Sequence, residues 1–395
     1  MGAALTAVAA VAIWTYLLLG RGFFWQAAER DDSPDNRGRP ERWPNVGVVI
    51  PARNEAEIIG RTLISLIRQT YPGGFSILLV DDQSSDGTAE VARAAARNAG
   101  DAGALTLLRG EEPPRGWTGK VWAMHQGFQH LQRQTEPPEY VLFTDADIAY
   151  RAPDAVERLV TIALARGTVL TSLMVKLRCE STPERMLVPA FIFFFAKLYP
   201  FGWVNDPRRA TAAAAGGCML VKRQALTAAG GLEAIRGALI DDCALGAMMK
   251  RQGPIWLGLT ERVRSLRAYA RLRDIRRMVV RSAYAELKYS PVRLAGTVAG
   301  MALTYLAPPL LALFADGAAR TLGAAAWVMM AFAFVPTLRF YGRNPAWGLA
   351  LPLIAAIYTA FTLESAVEHW RGRGGAWKGR FQADAAAPGE RAAGA

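Results

Sequence analysis

The sequence is poor in residues that build redox and zinc centres. It has three cysteines and three histidines in 395 residues. Cys179, Cys218 and Cys243 are far apart, with neither C-x-x-C spacing nor an even disulfide framework. Together with His125, His130 and His369 they form no zinc-ligand set. Free thiols fit a cytoplasmic catalytic region. The N-terminus lacks the basic stretch of a cleaved signal, so it reads as an uncleaved anchor. No fixed-period repeat is visible, which excludes a solenoid. Acidic residues are the scarcer sign: 34 against 46 Lys and Arg, a formal charge of +12.

What is abundant is apolar sequence, 52% of the chain, and it is concentrated. Residues 1–20, 294–315, 321–338 and 344–363 carry no charge. Each run approaches the roughly 20 residues that cross a bilayer as a helix. The basic excess sits beside them. Residues 261–293 hold ten basic side chains and three acidic ones. That placement favours a cytoplasmic, anionic-lipid surface over nucleic acid, for which there is also little aromatic interleaving. The expected organisation is an anchor at 1–25, a charged, Pro-containing linker at 26–44 and a catalytic domain at 45–270. A basic juxtamembrane segment at 271–293, membrane helices at 294–368 and a tail at 369–395 follow. Within the catalytic domain, 186–204 is Phe-rich (Phe191 to Phe195) with one charge, Lys197. It reads as a helix lying in the membrane interface, with a buried core helix as the alternative. Topology does not close: four spans would put the basic tail (Arg371, Arg373, Lys378, Arg380) outside. Either one segment is re-entrant, with 294–315 the candidate because of Pro308-Pro309, or the tail breaks the charge rule.

Between the first and second runs, strand and helix signals alternate. Val46–Ile50, Ile77–Val80, Leu105–Leu108 and Tyr140–Thr144 read as strands. Helical patterns start at Ile59, Thr88, Val121 and Pro153. This predicts an α/β fold with a mostly parallel mixed sheet, whose ligand lies beyond the strands' carboxyl ends. Polar motifs fall at those ends. Pro51-Ala52-Arg53-Asn54-Glu55 follows the first strand and Asp81-Asp82-Gln83-Ser84-Ser85-Asp86-Gly87 the second. Either could be a turn and helix cap, but carboxylates there could also accept the N–H and O–H donors of a nucleoside. Thr144-Asp145-Ala146-Asp147 follows the fourth. In extended chain Asp145 and Asp147 face one way, as a divalent cation would require. Gly116-Trp117-Thr118-Gly119-Lys120 fails the phosphate-loop pattern but puts Lys120 at a helix start, where phosphate binds. Asp241-Asp242 opens an apolar helix, as a cap or as a base in a pocket.

In this order, over residues 45–280 with flanking spans, the motifs resemble the inverting family 2 glycosyltransferases of the GT-A class. Among them the membrane-bound, hopanoid-associated enzymes are similar in Gly116–Lys120, the Phe-rich insert, Asp241-Asp242-Cys243 and Trp377-Lys378-Gly379-Arg380. The resemblance implies a nucleotide-sugar donor such as a UDP-sugar and a divalent cation, Mg²⁺ or Mn²⁺, on Asp147 and Asp145. It implies donor contacts from Pro51, Ala52, Arg53, Glu55, Asp81, Asp82, Lys120 and Asp145. Asp242 would be general base, beside Asp241, which replaces the family's Glu. Gly216, Gly217 and Cys218 would lie on the acceptor side. The family's Gln-x-x-Arg-Trp motif survives only as Arg273-Asp274-Ile275-Arg276-Arg277, which argues against a polymer product and leaves Arg276 or Arg277 for the diphosphate. The acceptor would be a membrane lipid: a hopanoid or, alternatively, a carotenoid, ceramide-like lipid or polyprenyl phosphate. The setting would be a bacterial-type inner membrane, with several spans and a cytoplasmic catalytic domain. A non-catalytic scaffold or transporter subunit is the competing class.

Overall fold

The computed structural model describes residues 2–33, 36, 38, 40–373, 376–377 and 380–381. Lys378, Gly379 and residues 382–395 of the expected tail lie outside them. The chain forms two compact units. A helical unit comprises Met1–Ala28, Cys179–Gly202 and Ala268–Gly375, and a sheet unit is built on Glu29–Arg178 and Trp203–Arg267.

In the sheet unit, among the described residues, eight strands form one sheet. They are β1 Val46–Ala52, β2 Phe75–Asp81, β3 Leu105–Arg109, β4 Tyr140–Phe143, β5 Ile148–Tyr150, β6 Leu170–Lys176, β7 Met219–Lys222 and β8 Ile255–Ser265. Their order is β3-β2-β1-β4-β7-β6-β8-β5. β1 pairs parallel with β2 and β4, β2 with β3, and β6 with β8. β7 runs antiparallel to β4 and β6, and β5 antiparallel to β8. The expected mostly parallel α/β sheet is therefore present. All seven residues of β1 are buried, as a strand covered on both faces requires. Pro51 is tolerated because the β4 ladder has already ended at Val49↔Phe143, so its missing N–H costs no bond on that side. The helix Ile59–Ile67 buries Ile59, Leu63 and Leu66 against the sheet, each worth about 1.5–3 kcal/mol. On the helix Gly119–Gln132, Gly127 permits close approach: a Cβ there would stand 2.5 Å from Val49 Cγ1.

The expected linker is partly built into this sheet. Asp31 N donates to Leu259 O at 3.0 Å, and Thr260 Oγ1 donates to Asp31 Oδ2 at 2.6 Å. The apolar run Ile255–Leu259 reads as a strand in the sequence, and β8 extends six residues beyond it, to Ser265.

In the helical unit, among the described residues, four helices are long and apolar enough to cross a membrane: Gly2–Leu19, Pro291–Phe314, Gly317–Phe340 and Pro345–Trp370. These match the four uncharged runs. Pro308-Pro309 does not turn the chain back, correcting the re-entrant expectation. The chain stays helical, with a π-helical turn at Ala302–Leu306. Thr304 O would take its helical donor from position 308 or 309, and neither proline has an N–H. Trp14 Nε1 supplies the missing bond at 2.8 Å, while the ring packs edge-on against Tyr305. Trp14→Phe should keep the ring contact and lose the donor. The expected cost is about 1–3 kcal/mol, the penalty of an unsatisfied buried carbonyl. Equilibrium unfolding in detergent would measure it.

The Phe-rich segment is the helix Thr182–Leu198, capped by Ser181 and Glu184. Leu187, Ala190 and Phe193 are buried in this unit's core, with Phe191 and Phe194 packed against it. One face of the helix thus follows the core-helix alternative.

Candidate active site

The sheet topology brings the motifs to one edge. β1, β2 and β4 end there, as do β6 and β8, which share their direction. Antiparallel β5 and β7 begin there. The turns after β1 and β2 are laced together. Asp82 N donates to Ala52 O at 2.8 Å, Asn54 N to Ser84 Oγ at 3.0 Å and Glu55 N to Thr88 Oγ1 at 2.9 Å. Ser85 N donates to Asn54 Oδ1 at 2.9 Å, holding Asn54 at φ 53°. Asn tolerates that left-handed backbone better than most residues. Arg53 Nη1 donates to Asp82 O at 2.6 Å and pairs with Asp82 Oδ2 at 3.6 Å. Asp82 is buried and turned onto Arg53, so these two of the expected donor contacts engage each other. Asp81, half-buried, accepts from Ser84 N at 3.0 Å.

The second cluster centres on Lys120, in the first turn of the helix Gly119–Gln132, which Thr118 caps. Its Nζ lies 2.9 Å from Asp145 Oδ1 and 3.0 Å from Asp241 Oδ2. Asp242, beside Asp241 in the first turn of the helix Asp241–Lys250, accepts from Gly216 N at 2.9 Å and from Cys243 N at 2.8 Å. Gly216 leaves this junction open: a Cβ would stand 3.2 Å from Lys120 Nζ and 3.4 Å from Asp242 Oδ2. Burial pushes the Asp242 carboxyl up and neighbouring Asp241 adds to it. Lys120 and the two amides oppose them, and the result is a pKa of about 6. Burial also raises Asp145, against Lys120. Burial would lower Lys120, but Asp145, Asp241 and Asp242 outweigh it and hold the ammonium well above its ordinary range.

Asp145 and Asp147 sit on the β4–β5 turn, with Ala146 turned into the core as expected. They meet different cations. Asp145 pairs with Lys120, and Asp147 Oδ2 with Arg267 Nε at 2.6 Å. Arg267 Nη2 also reaches Glu55 Oε1 at 2.7 Å. Arg267 was not among the expected site residues. Its signal was its place just past a strand's carboxyl end, hidden because β8 outruns its apolar segment. Among the described residues, no three His, Cys, Asp or Glu side chains group as a metal-ligand set. Magnesium held with substrate phosphates needs only one or two protein carboxylates, however. Asp145 and Asp147 fit a hard cation that arrives with a phosphorylated ligand.

One expectation is corrected. Cys218 is fully buried in the sheet core, where burial raises its thiol to about 12, so it presents nothing to an acceptor. Its neighbour Gly217 is a close-packed position, 2.9 Å from Val175 Cγ2 if a Cβ were added. Arg276 and Arg277 lie on the helix Leu272–Val280 of the helical unit. There Arg276 Nε donates to Glu364 Oε2 at 2.6 Å.

Comparison with known proteins agrees with this architecture. Over 113 residues the chain is 34% identical to 4,4'-diaponeurosporenoate glycosyltransferase of Staphylococcus aureus (strain USA300). That match covers 29% of this chain and only 26% of the relative, about a quarter of its length. The fold is similar to the solved mannosyltransferase PcManGT from Pyrobaculum calidifontis, in complex with GDP-Man and Mn²⁺. The TM-score is 0.54 at 21% identity, covering 93% of this chain and 99% of that one. The sequence pattern described as "Glycosyltransferase like family 2" matches residues 44–278, more than half of the chain and every strand of the sheet. The chain therefore belongs to the family 2-like glycosyltransferases.

Proposed function

We propose that the protein is a metal-dependent, inverting glycosyltransferase that moves a sugar from a nucleoside-diphosphate sugar to a lipid in the membrane. The observation that carries this reading is the meeting of Lys120, Asp145, Asp241 and Asp242 at one sheet edge, with Asp242 tuned to about 6. The laced turns after β1 and β2, with Ala52, Glu55 and Asp81, would bind the nucleoside. Asp145 and Asp147 would hold a divalent cation. When bound, that cation would supply positive charge to the departing diphosphate. Lys120 contributes a fixed ammonium for the same developing charge. Asp242 takes the proton of the acceptor hydroxyl at a carboxylate oxygen as the new bond forms. Its two backbone N–H donors fix the carboxylate's orientation. Attack from the face opposite the leaving group inverts the anomeric carbon.

Four apolar helices support a multi-pass enzyme of a bacterial-type inner membrane with a lipid acceptor and a cytoplasmic catalytic unit. The hopanoid resemblance favours a polycyclic isoprenoid alcohol. The name of the staphylococcal relative favours a second reading, a carotenoid-type acceptor. The test is to incubate membranes containing the enzyme with UDP- and GDP-sugars and hopanoid, carotenoid or polyprenyl phosphate, then analyse lipids by mass spectrometry. A glycosylated isoprenoid dependent on Asp242 supports the proposal. Consumption of no nucleotide sugar in any combination would refute it and favour a scaffold.

A further inference from the structure

We propose that Arg267 is a built-in counter-cation of Asp147 and Glu55, which a divalent cation must displace, and that it couples metal binding to diphosphate binding. This rests on the reading that Asp147 holds the cation. Asp147 and Glu55 come from the turns after β4 and β1, and their side chains are only 11% and 9% exposed. Carboxylates so enclosed need a compensating charge or donors. One guanidinium serves both, through Nε to Asp147 and Nη2 to Glu55, at 2.6 and 2.7 Å. The planar fork of arginine suits this bridge, whereas a lysine ammonium would act as a point charge.

The backbone under Arg267 is pinned. Leu266 N donates to Asp147 O at 2.7 Å, and Arg267 N to Ser265 Oγ at 3.3 Å. The side chain is one-third exposed and is the part with room to move. A divalent cation on Asp147 would face this guanidinium at close range, and the two positive charges repel. Metal alone must therefore break charge-assisted hydrogen bonds without replacing them. A diphosphate arriving with the metal offers the released guanidinium new oxygen acceptors. The ligand-free site thus resists free metal and accepts metal together with diphosphate, a positive coupling between the two.

The test is titration of Mn²⁺ alone, followed by electron paramagnetic resonance, on the full-length protein in detergent. Wild type, R267Q and R267K are compared, each with and without UDP or GDP. Removing the competing cation should tighten binding of Mn²⁺ alone by about tenfold in R267Q, given bonds of this class. The enhancement of Mn²⁺ affinity by nucleoside diphosphate should shrink. R267K keeps the charge and should stay nearer to wild type, which separates competition from misfolding. Mn²⁺ binding no tighter in R267Q than in wild type would overturn the proposal. The double variant R267Q/D147N separates the underlying reading. If it retains the tight Mn²⁺ site, or if no variant binds Mn²⁺ with either nucleotide, then Asp147 is not the metal ligand and both ideas fall.

Discussion

Asp242→Asn is expected to lower turnover by about 10²–10⁴-fold, the range that positioned proton transfer supplies. Donor binding should change little, because the donor contacts proposed here other than Lys120 lie on the turns after β1, β2 and β4, and Lys120 keeps its pairs with Asp145 and Asp241. Amide and carboxylate are nearly isosteric, and the Asn side-chain oxygen can still accept one of the Gly216 and Cys243 N–H bonds. The loss would therefore report the proton acceptor itself. The pH profile gives a second readout. A general base works deprotonated, so kcat/KM should rise with pH through about 6 and level above it. The variant should lose that limb. Stability runs the opposite way. A carboxyl whose folded pKa is raised stabilises the protein below the unfolded value of 3.8, and this contribution is lost as pH rises through about 6. The base is thus held ready at neutral pH at a cost in stability. Transfer assays with radiolabelled donor and calorimetric donor titration would check both parts. Undiminished turnover in the variant would remove Asp242 from the mechanism.

Lys120→Met should be the most destabilising single change at the site. It strips Asp145 and Asp241 of a cation 2.9 and 3.0 Å away and leaves the acidic cluster facing itself. Breaking a fully buried pair costs about 3–5 kcal/mol. With Lys120 18% and Asp145 34% exposed, solvent screening reduces the expectation to roughly 2–3 kcal/mol at pH 8. The sign of the pH dependence is specific. Without the ammonium the Asp145 and Asp242 carboxyls, already raised by burial, are pushed up further, so the deficit should be greatest at high pH and shrink towards pH 5 as they protonate. The catalytic limb should also move above 6, since Lys120 now holds Asp242 down. Denaturation at pH 5 and pH 8, with the kcat/KM profile, would measure both shifts. A deficit independent of pH would show that Lys120 acts through packing alone.

Much of this site can be read from the linear chain for one physical reason. β1, β2 and β4 are continuous apolar runs followed at once by polar turns, and a parallel sheet places such turns at one edge. β6 lacks that signal. Its Thr171 and Ser172 are fully buried, and Ser172 is satisfied only by distant chain, donating to Cys218 O at 3.0 Å and accepting from Ala215 N at 2.9 Å. Adjacent carboxylates posed a different difficulty. Composition cannot tell that Asp82 turns inward to Arg53 while Asp81 does not, because that depends on a neighbouring strand's register. Arg267 was obscured by nine other basic residues between 261 and 293. Only the extension of β8 singles it out.

The indole of Trp14 and the carbonyl of Thr304 are 290 positions apart. The helix Gly2–Leu19 is made long before Thr304, so Trp14 meets the gap left by the two prolines only after most of the polypeptide has been synthesised. Its indole is then a packed part of the helical unit's core. Proteolytic loss of the helix Gly2–Leu19 would do more than shorten the chain, because it would leave the Thr304 carbonyl without its indole donor.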